Sequence, residues 1–138
     1  MVDRDFGTLQ FSRSPDKPEA SYWHGSWLFP PTGTLVGINL PGTEDGPTLN
    51  ARRFYINLAE DFEEIIAACR PLVEELFKTE LKRELPQDIF TVVKVDGFNV
   101  EDPEQYPVPW EMFLDLPGEK WLILISFVGT TPQEACLT

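Results

Sequence analysis

A chain of 138 residues with 42% hydrophobic and 25% charged side chains has the size and composition of a single folded domain, 1–138; it excludes a disordered polymer and leaves no room for a second core. Its 23 acidic and 11 basic side chains give a formal net charge of −12, which repels phosphate backbones and anionic lipid, so no nucleic acid and no membrane is expected as a partner. The same charge attracts a basic protein and accelerates its encounter.

The N-terminus, Met1-Val2-Asp3-Arg4-Asp5, lacks the basic start and apolar stretch of a secretory signal. No segment approaches the roughly 18 apolar residues of a membrane span, and the expected location is cytoplasmic. Residues 6–11 read as a first strand, followed by a polar, Pro-containing connection over 13–20. Residues 22–29 form a second strand with Trp23, Trp27 and Phe29 on one face by period two. Pro30-Pro31-Thr32-Gly33 signals a turn, and 35–40 a third strand. The segment 41–47, rich in Gly and Pro, reads as an irregular loop.

The helical signal is the clearest in the chain. Tyr55, Leu58, Phe62, Ile65, Cys69, Leu72 and Leu76 recur at steps of three and four, and Ile66, Val73 and Phe77 widen the stripe to a core-facing breadth. Thr48 or Asn50 caps a helix starting near 49, or else Asn57 with Glu60 forms a later capping box. A straight helix over 49–84 would run about 54 Å, longer than a globule of this size, about 37 Å. Two segments are therefore expected, bent or broken near Pro71, whose ring clashes with the preceding turn.

Strand signals return at 89–95 and 98–100, with Asp96-Gly97 marking a bulge or turn between them. Residues 101–109 read as a loop. Trp110, Met112, Leu114 and Leu116 then alternate with polar neighbours, Pro117-Gly118-Glu119-Lys120 suits a type II turn, and 121–128 returns nearly all apolar. Such a run is expected of a central strand or of one covered on both faces. The tail from Gly129 is expected to be loose. The predicted fold is α+β: antiparallel sheet in β-β-β-α-β-β-β order, as one sheet or two linked three-stranded units, with the long amphipathic helix on one face.

The sequence shows no catalytic constellation. His24 is the one histidine, in Trp23-His24-Gly25-Ser26-Trp27, and a nearby Ser26 does not by itself make a dyad. One histidine and two unpaired cysteines, Cys69 and Cys136, give no zinc or iron set, no disulfide framework and no redox motif. No catalytic residue, cofactor or metal is expected. The acids Glu101, Asp102 and Glu104 read more simply as a solvated loop than as a Ca²⁺ or Mg²⁺ site. Gly42-Thr43-Glu44-Asp45-Gly46 lacks the Lys-Ser/Thr ending of a phosphate loop.

One charge feature stands apart. Between Lys94 and Lys120 there is no basic residue, whereas Asp96, Glu101, Asp102, Glu104, Glu111, Asp115 and Glu119 are all acidic. Phe98, Tyr106, Pro107, Pro109, Trp110 and Phe113 are interleaved among them. Apolar anchors within an acidic rim are the pattern of a contact surface for a basic protein. The competing reading places these aromatics in the core and leaves the acids merely solvated.

The succession Phe6-Gly7-Thr8-Leu9-Gln10-Phe11, Trp23-His24-Gly25-Ser26-Trp27 and Val36-Gly37-Ile38-Asn39-Leu40 precedes Asp45-Gly46-Pro47-Thr48 and the long helix. In layout this resembles small bacterial domains of the immunity-protein type. The resemblance implies a cytoplasmic protein that binds and blocks a toxin, and it assigns no functional residue. The leading expectation is an acidic protein-binding domain using the 96–119 surface. The alternative is a small-molecule binder or hydrolase with a pocket near His24, and the third is a homodimer through an uncovered apolar sheet face.

Overall fold

The alternating runs of the first third fold into an antiparallel meander: β1 (Val2–Asp3), β2 (Gly7–Ser12), β3 (Tyr22–Phe29) and β4 (Thr34–Thr43). The computed structural model describes residues 1–17 and 20–138; Pro18 and Glu19, in the polar connection over 13–20, lie outside the described residues. Period-two burial sends Leu9, Trp23, Trp27, Phe29, Val36, Ile38 and Leu40 to one side of the sheet. The expected irregular loop at 41–47 is partly ordered, because β5 (Gly46–Pro47) folds back on the end of β4.

Helix α1 (Leu49–Glu60) starts where the Thr48 hydroxyl accepts a hydrogen bond from Ala51 N at 3.1 Å. The division of the helical stretch falls not at Pro71 but at Asp61, ten residues earlier, and α2 (Phe62–Leu76) continues unbroken through the proline position. Two facts explain this. Phe62, Ile65, Cys69, Val73 and Leu76 stay on one buried stripe through Pro71, so breaking the helix there would lift Val73 and Leu76 off the sheet. Pro71 and Ala67, whose carbonyl loses its donor, are both solvent-exposed, so water can satisfy that carbonyl. A π-helical turn (Phe77–Leu81) ends the element at Lys82, which adopts the left-handed conformation. Arg70 then holds the returning chain, donating to Pro86 O at 2.6 Å and Gln87 O at 2.7 Å.

The second meander is β6 (Lys94–Asn99), β7 (Pro109–Asp115), β8 (Leu122–Val128) and β9 (Thr131–Leu137). Two expectations change here and one holds. The apolar run at 89–95 divides into a 3₁₀ turn (Ile89–Thr91), capped by Asp88, and the start of β6. The expected bulge at Asp96-Gly97 is present, as a register shift between Val95 and Gly97. The tail is not loose: β9 pairs with β8 and buries against α2. In the β7–β8 turn Glu119 N donates to Leu116 O at 2.9 Å and Gly118 takes φ +86, the geometry that requires glycine in a type II turn.

The halves are not separate three-stranded units, and the sheet is not wholly antiparallel. They form one mixed sheet in the order β1-β2-β3-β4-β6-β7-β8-β9, joined by a parallel pair, β4 and β6, at Gly37 and Gly97. Parallel neighbours need a long crossover, and the helices provide it. Gly97 permits the approach, since a Cβ there would stand 2.7 Å from Gly37 O. Past that point Asn39 replaces backbone pairing: its side-chain amide donates to Val100 O at 3.1 Å and accepts from Val100 N at 3.2 Å. Tyr55, fully buried on α1, donates to Asn39 O at 2.8 Å, and burial raises its pKa well above the ordinary phenol range.

Both helices lie on the same side of the sheet, as expected. Phe6, Trp27, Phe29, Tyr55, Phe62 and Phe98 form an edge-to-face aromatic cluster between the layers. At one edge Arg52 of α1 clamps the N-terminal hairpin, pairing with Asp3 and Asp5 above the Phe6 ring.

Candidate functional site: the uncovered face of the sheet

Because the helices cover one face, every second side chain of the strands points to the other. Strand register sorts these into rows. One row is polar on every strand it crosses: Gln10, His24, Asn39, Asn99, Glu111, Ser126 and Glu134. The next passes through Thr8, Ser26, Gly37, Gly97, Phe113, Leu124 and Cys136. The third holds Leu28, Leu35, Lys94, Asp115 and Leu122. Leu28 and Leu35 face each other across the β3–β4 hairpin, 60% and 62% exposed.

β8 carries the pattern expected of a strand covered twice. Ile123, Ile125 and Phe127 are fully buried beneath the helices. Leu122 and Leu124, on the other face, are also apolar but only half-buried. Of the two expectations for this run, an interior strand is what forms: β8 pairs with β7 on one side and β9 on the other, while the helices cover one face.

Between the meanders the face sinks into a broad, open trough of about 1410 Å³. Its floor is the Gly37–Gly97 pair; Leu35, Phe113, His24, Asn39 and Asn99 form the walls, with Asp96, Glu101 and Asp102 among the lining residues. Among the described residues no lysine or arginine lines it.

The seven acids singled out in sequence separate. Asp96, Glu111 and Asp115 stand on this face, and Glu101 and Asp102 rim the trough. Glu104 turns toward the helices, accepting from Asn50 Nδ2 at 2.5 Å. Glu119 sits at the tip of the β7–β8 hairpin, at the far end of the sheet from the 101–108 loop. Of the interleaved aromatics, Phe98 and Trp110 belong to the core, where Trp110 stacks on Phe127 and donates to Gly129 O at 2.7 Å. Phe113 is on the open face, and Tyr106, 94% exposed, projects from the loop.

His24 and Ser26 do share the open face, as period two requires. The His24 ring lies 5.8 Å from that of Tyr22, and among the described residues no carboxylate hydrogen-bonds it. No group of three metal-binding side chains gathers among the described residues; Asp102 accepts from Glu104 N rather than facing the Glu104 carboxylate. Cys69 is buried in α2, and burial pushes its thiol up to about 11. No helix is long and apolar enough to cross a membrane among the described residues.

Sequence reasoning missed Gln10, Leu28, Leu35, Asn99, Leu122 and Leu124. The signal was present in the off-phase positions of the same alternating runs. No family model, curated protein or solved structure matches the chain.

Proposed function

We propose that this chain is an acidic protein-binding domain, of the kind that inhibits a basic partner as immunity-type proteins do, and that it engages that partner with the uncovered face of its sheet. The observation that carries this reading is the open face of the sheet, where Leu28 and Leu35 are exposed and Leu122 and Leu124 of β8 are half-buried beside Ser126. Apolar side chains left at an uncovered face, here exposed Leu28 and Leu35 with half-buried Phe113, Leu122 and Leu124, favour an interaction site. Charge supplies the partner's sign. Asp96, Glu111, Asp115 and Glu134 stand on the face with Lys94 as its basic counterpart among the described residues. A small-molecule site at His24 has less support, because the surroundings form an open trough rather than an enclosing cleft.

The test is a capture experiment with tagged protein in low and high salt, using two sets of charge reversals. Glu111→Lys with Asp115→Lys should abolish capture of a basic protein that wild type binds at low salt. Glu63→Lys with Glu75→Lys, on the helix surface, should leave capture intact. Equal losses in both sets would show that net charge alone, not this face, is recognised.

A further inference from the structure

We infer that the trough between the two meanders seats a basic segment of the partner protein, with an arginine or lysine side chain laid over the Gly37–Gly97 floor. This deepens the reading above and rests on it. Three observations place the segment here rather than elsewhere on the face.

The first is the floor. Gly97 is required by packing, but Gly37 is not: a Cβ at 37 would meet nothing closer than Asp96 O at 3.8 Å, an ordinary contact. Nor does its backbone occupy the left-handed region. The fold would accept a side chain at 37, so the space above it is unoccupied room.

The second is the match of walls to ligand. Arginine and lysine combine an apolar stem with a cationic head. Leu35 and Phe113 offer apolar walls for the stem, and Asp96, Glu101 and Asp102 offer carboxylates for the head. The side-chain amide of Asn99 already donates to Glu111 Oε1 at 3.1 Å, which holds the adjoining wall in place.

The third is the sign of the lining, which among the described residues has carboxylates and no lysine or arginine. A second copy of this chain would bring −12 against −12 and set acidic rim on acidic rim. Polyphosphate and anionic lipid are excluded by the same repulsion. A basic peptide segment is the occupant that all three observations fit.

The experiment is an amide chemical-shift titration of the full chain with acetylated, amidated nona-arginine at low salt, with nona-glutamate as control. Shifts should gather at Gly37, Gly97, Asn99 and Asp102. Gly37→Leu, which fills the floor, should weaken binding by about tenfold or more while leaving the unfolding midpoint in place. The pair Asp96→Asn and Asp102→Asn should weaken it by roughly threefold to tenfold, as expected for losing partly exposed charge pairs. If Gly37→Leu does not fold, the asparagine pair decides the matter alone.

Unchanged affinity in Gly37→Leu, with shifts gathered around Glu111, Asp115 and Glu134, would overturn the trough while leaving the open-face reading standing. Shifts confined to the helix surface around Glu63, Glu64 and Glu75 would overturn both. Shifts at the trough amides that grow with protein concentration alone would make a second copy the occupant and overturn the proposal.

Discussion

The junction between the meanders can be probed by making one substitution on each side of it. Gly37 and Gly97 are direct partners in the parallel pair, yet their surroundings differ. In Gly97→Ala the new methyl would stand 2.7 Å from Gly37 O and 3.3 Å from Gly37 Cα. Relief requires β4 and β6 to separate by about half an ångström, which weakens the one backbone bridge between them. The two Asn39–Val100 bonds just beyond would weaken with it. The bridge carries two backbone hydrogen bonds and Asn39 two more; at about 1 kcal/mol net for each, losing most of the four costs about 3 kcal/mol. Alanine offsets roughly 0.5–1 kcal/mol of that by restricting the unfolded chain. The expected net loss is about 2 kcal/mol for Gly97→Ala, and a small gain is expected for Gly37→Ala, whose methyl meets only an ordinary contact. Urea unfolding followed by tryptophan fluorescence measures both, and thermal midpoints should fall by roughly 4–8 °C for Gly97→Ala. Equal effects from the two substitutions would refute the argument that one glycine serves packing and the other leaves room.

Two further perturbations test neighbouring features. Asn39→Ala leaves the N–H and C=O of Val100, which is fully buried, without partners, and should cost about 2–3 kcal/mol together with faster hydrogen exchange at the Val100 amide; unchanged exchange would mean that the side chain does not substitute for backbone pairing. The Arg52 guanidinium beside Asp3 lowers that carboxyl from 3.8 to about 2, so the ionised form is favoured in the folded state. The contribution, about 2 kcal/mol, is complete above about pH 4 and is lost as pH falls toward 2. The stability gap between wild type and Asp3→Asn should therefore close over that window, and a gap independent of pH would argue against the ion pair as its source.

The sequence disclosed these features unevenly, and for physical reasons. Period two exposed the core face because bulky residues repeat there: Trp23, Trp27 and Phe29 on β3, and Trp110, Met112 and Leu114 on β7. The same periodicity encodes the opposite face, but polar residues there are also what plain solvent exposure would leave, so the pattern has two explanations until strands are placed side by side. Rows such as Gln10–His24–Asn39 arise from pairing between strands and have no signature within any one of them. Pro71 misled because local chemistry favours a break, whereas the buried stripe on either side of it outweighs one missing hydrogen bond. The tail misled similarly: Thr131 to Leu137 shows no alternation of apolar and polar residues and is ordered by pairing with β8. The parallel joint was least legible, since two glycines and an asparagine create it across a separation of some sixty residues.

The acidic excess and the uncovered sheet face have a joint consequence. A sheet with Leu28, Leu35, Leu122 and Leu124 left open would, in a neutral protein, favour stacking on itself. Here stacking would bring Asp96, Glu111, Asp115 and Glu134 of one copy against those of another, with Lys94 the basic group on the face among the described residues. Repulsion between copies weakens with salt over about 10 Å at 0.1 M, whereas apolar burial does not. On the proposed reading, raising the salt should therefore move the protein in two directions at once. Capture of a basic partner should fall, and self-association through Leu28 and Leu35 should rise. Sedimentation of wild type beside Leu28→Ser with Leu35→Ser separates the two. Salt-promoted association that disappears in the serine variant would identify the open face as the surface that charge keeps free. Association unaffected by the serines would place the contact elsewhere and remove the apolar rows from the argument.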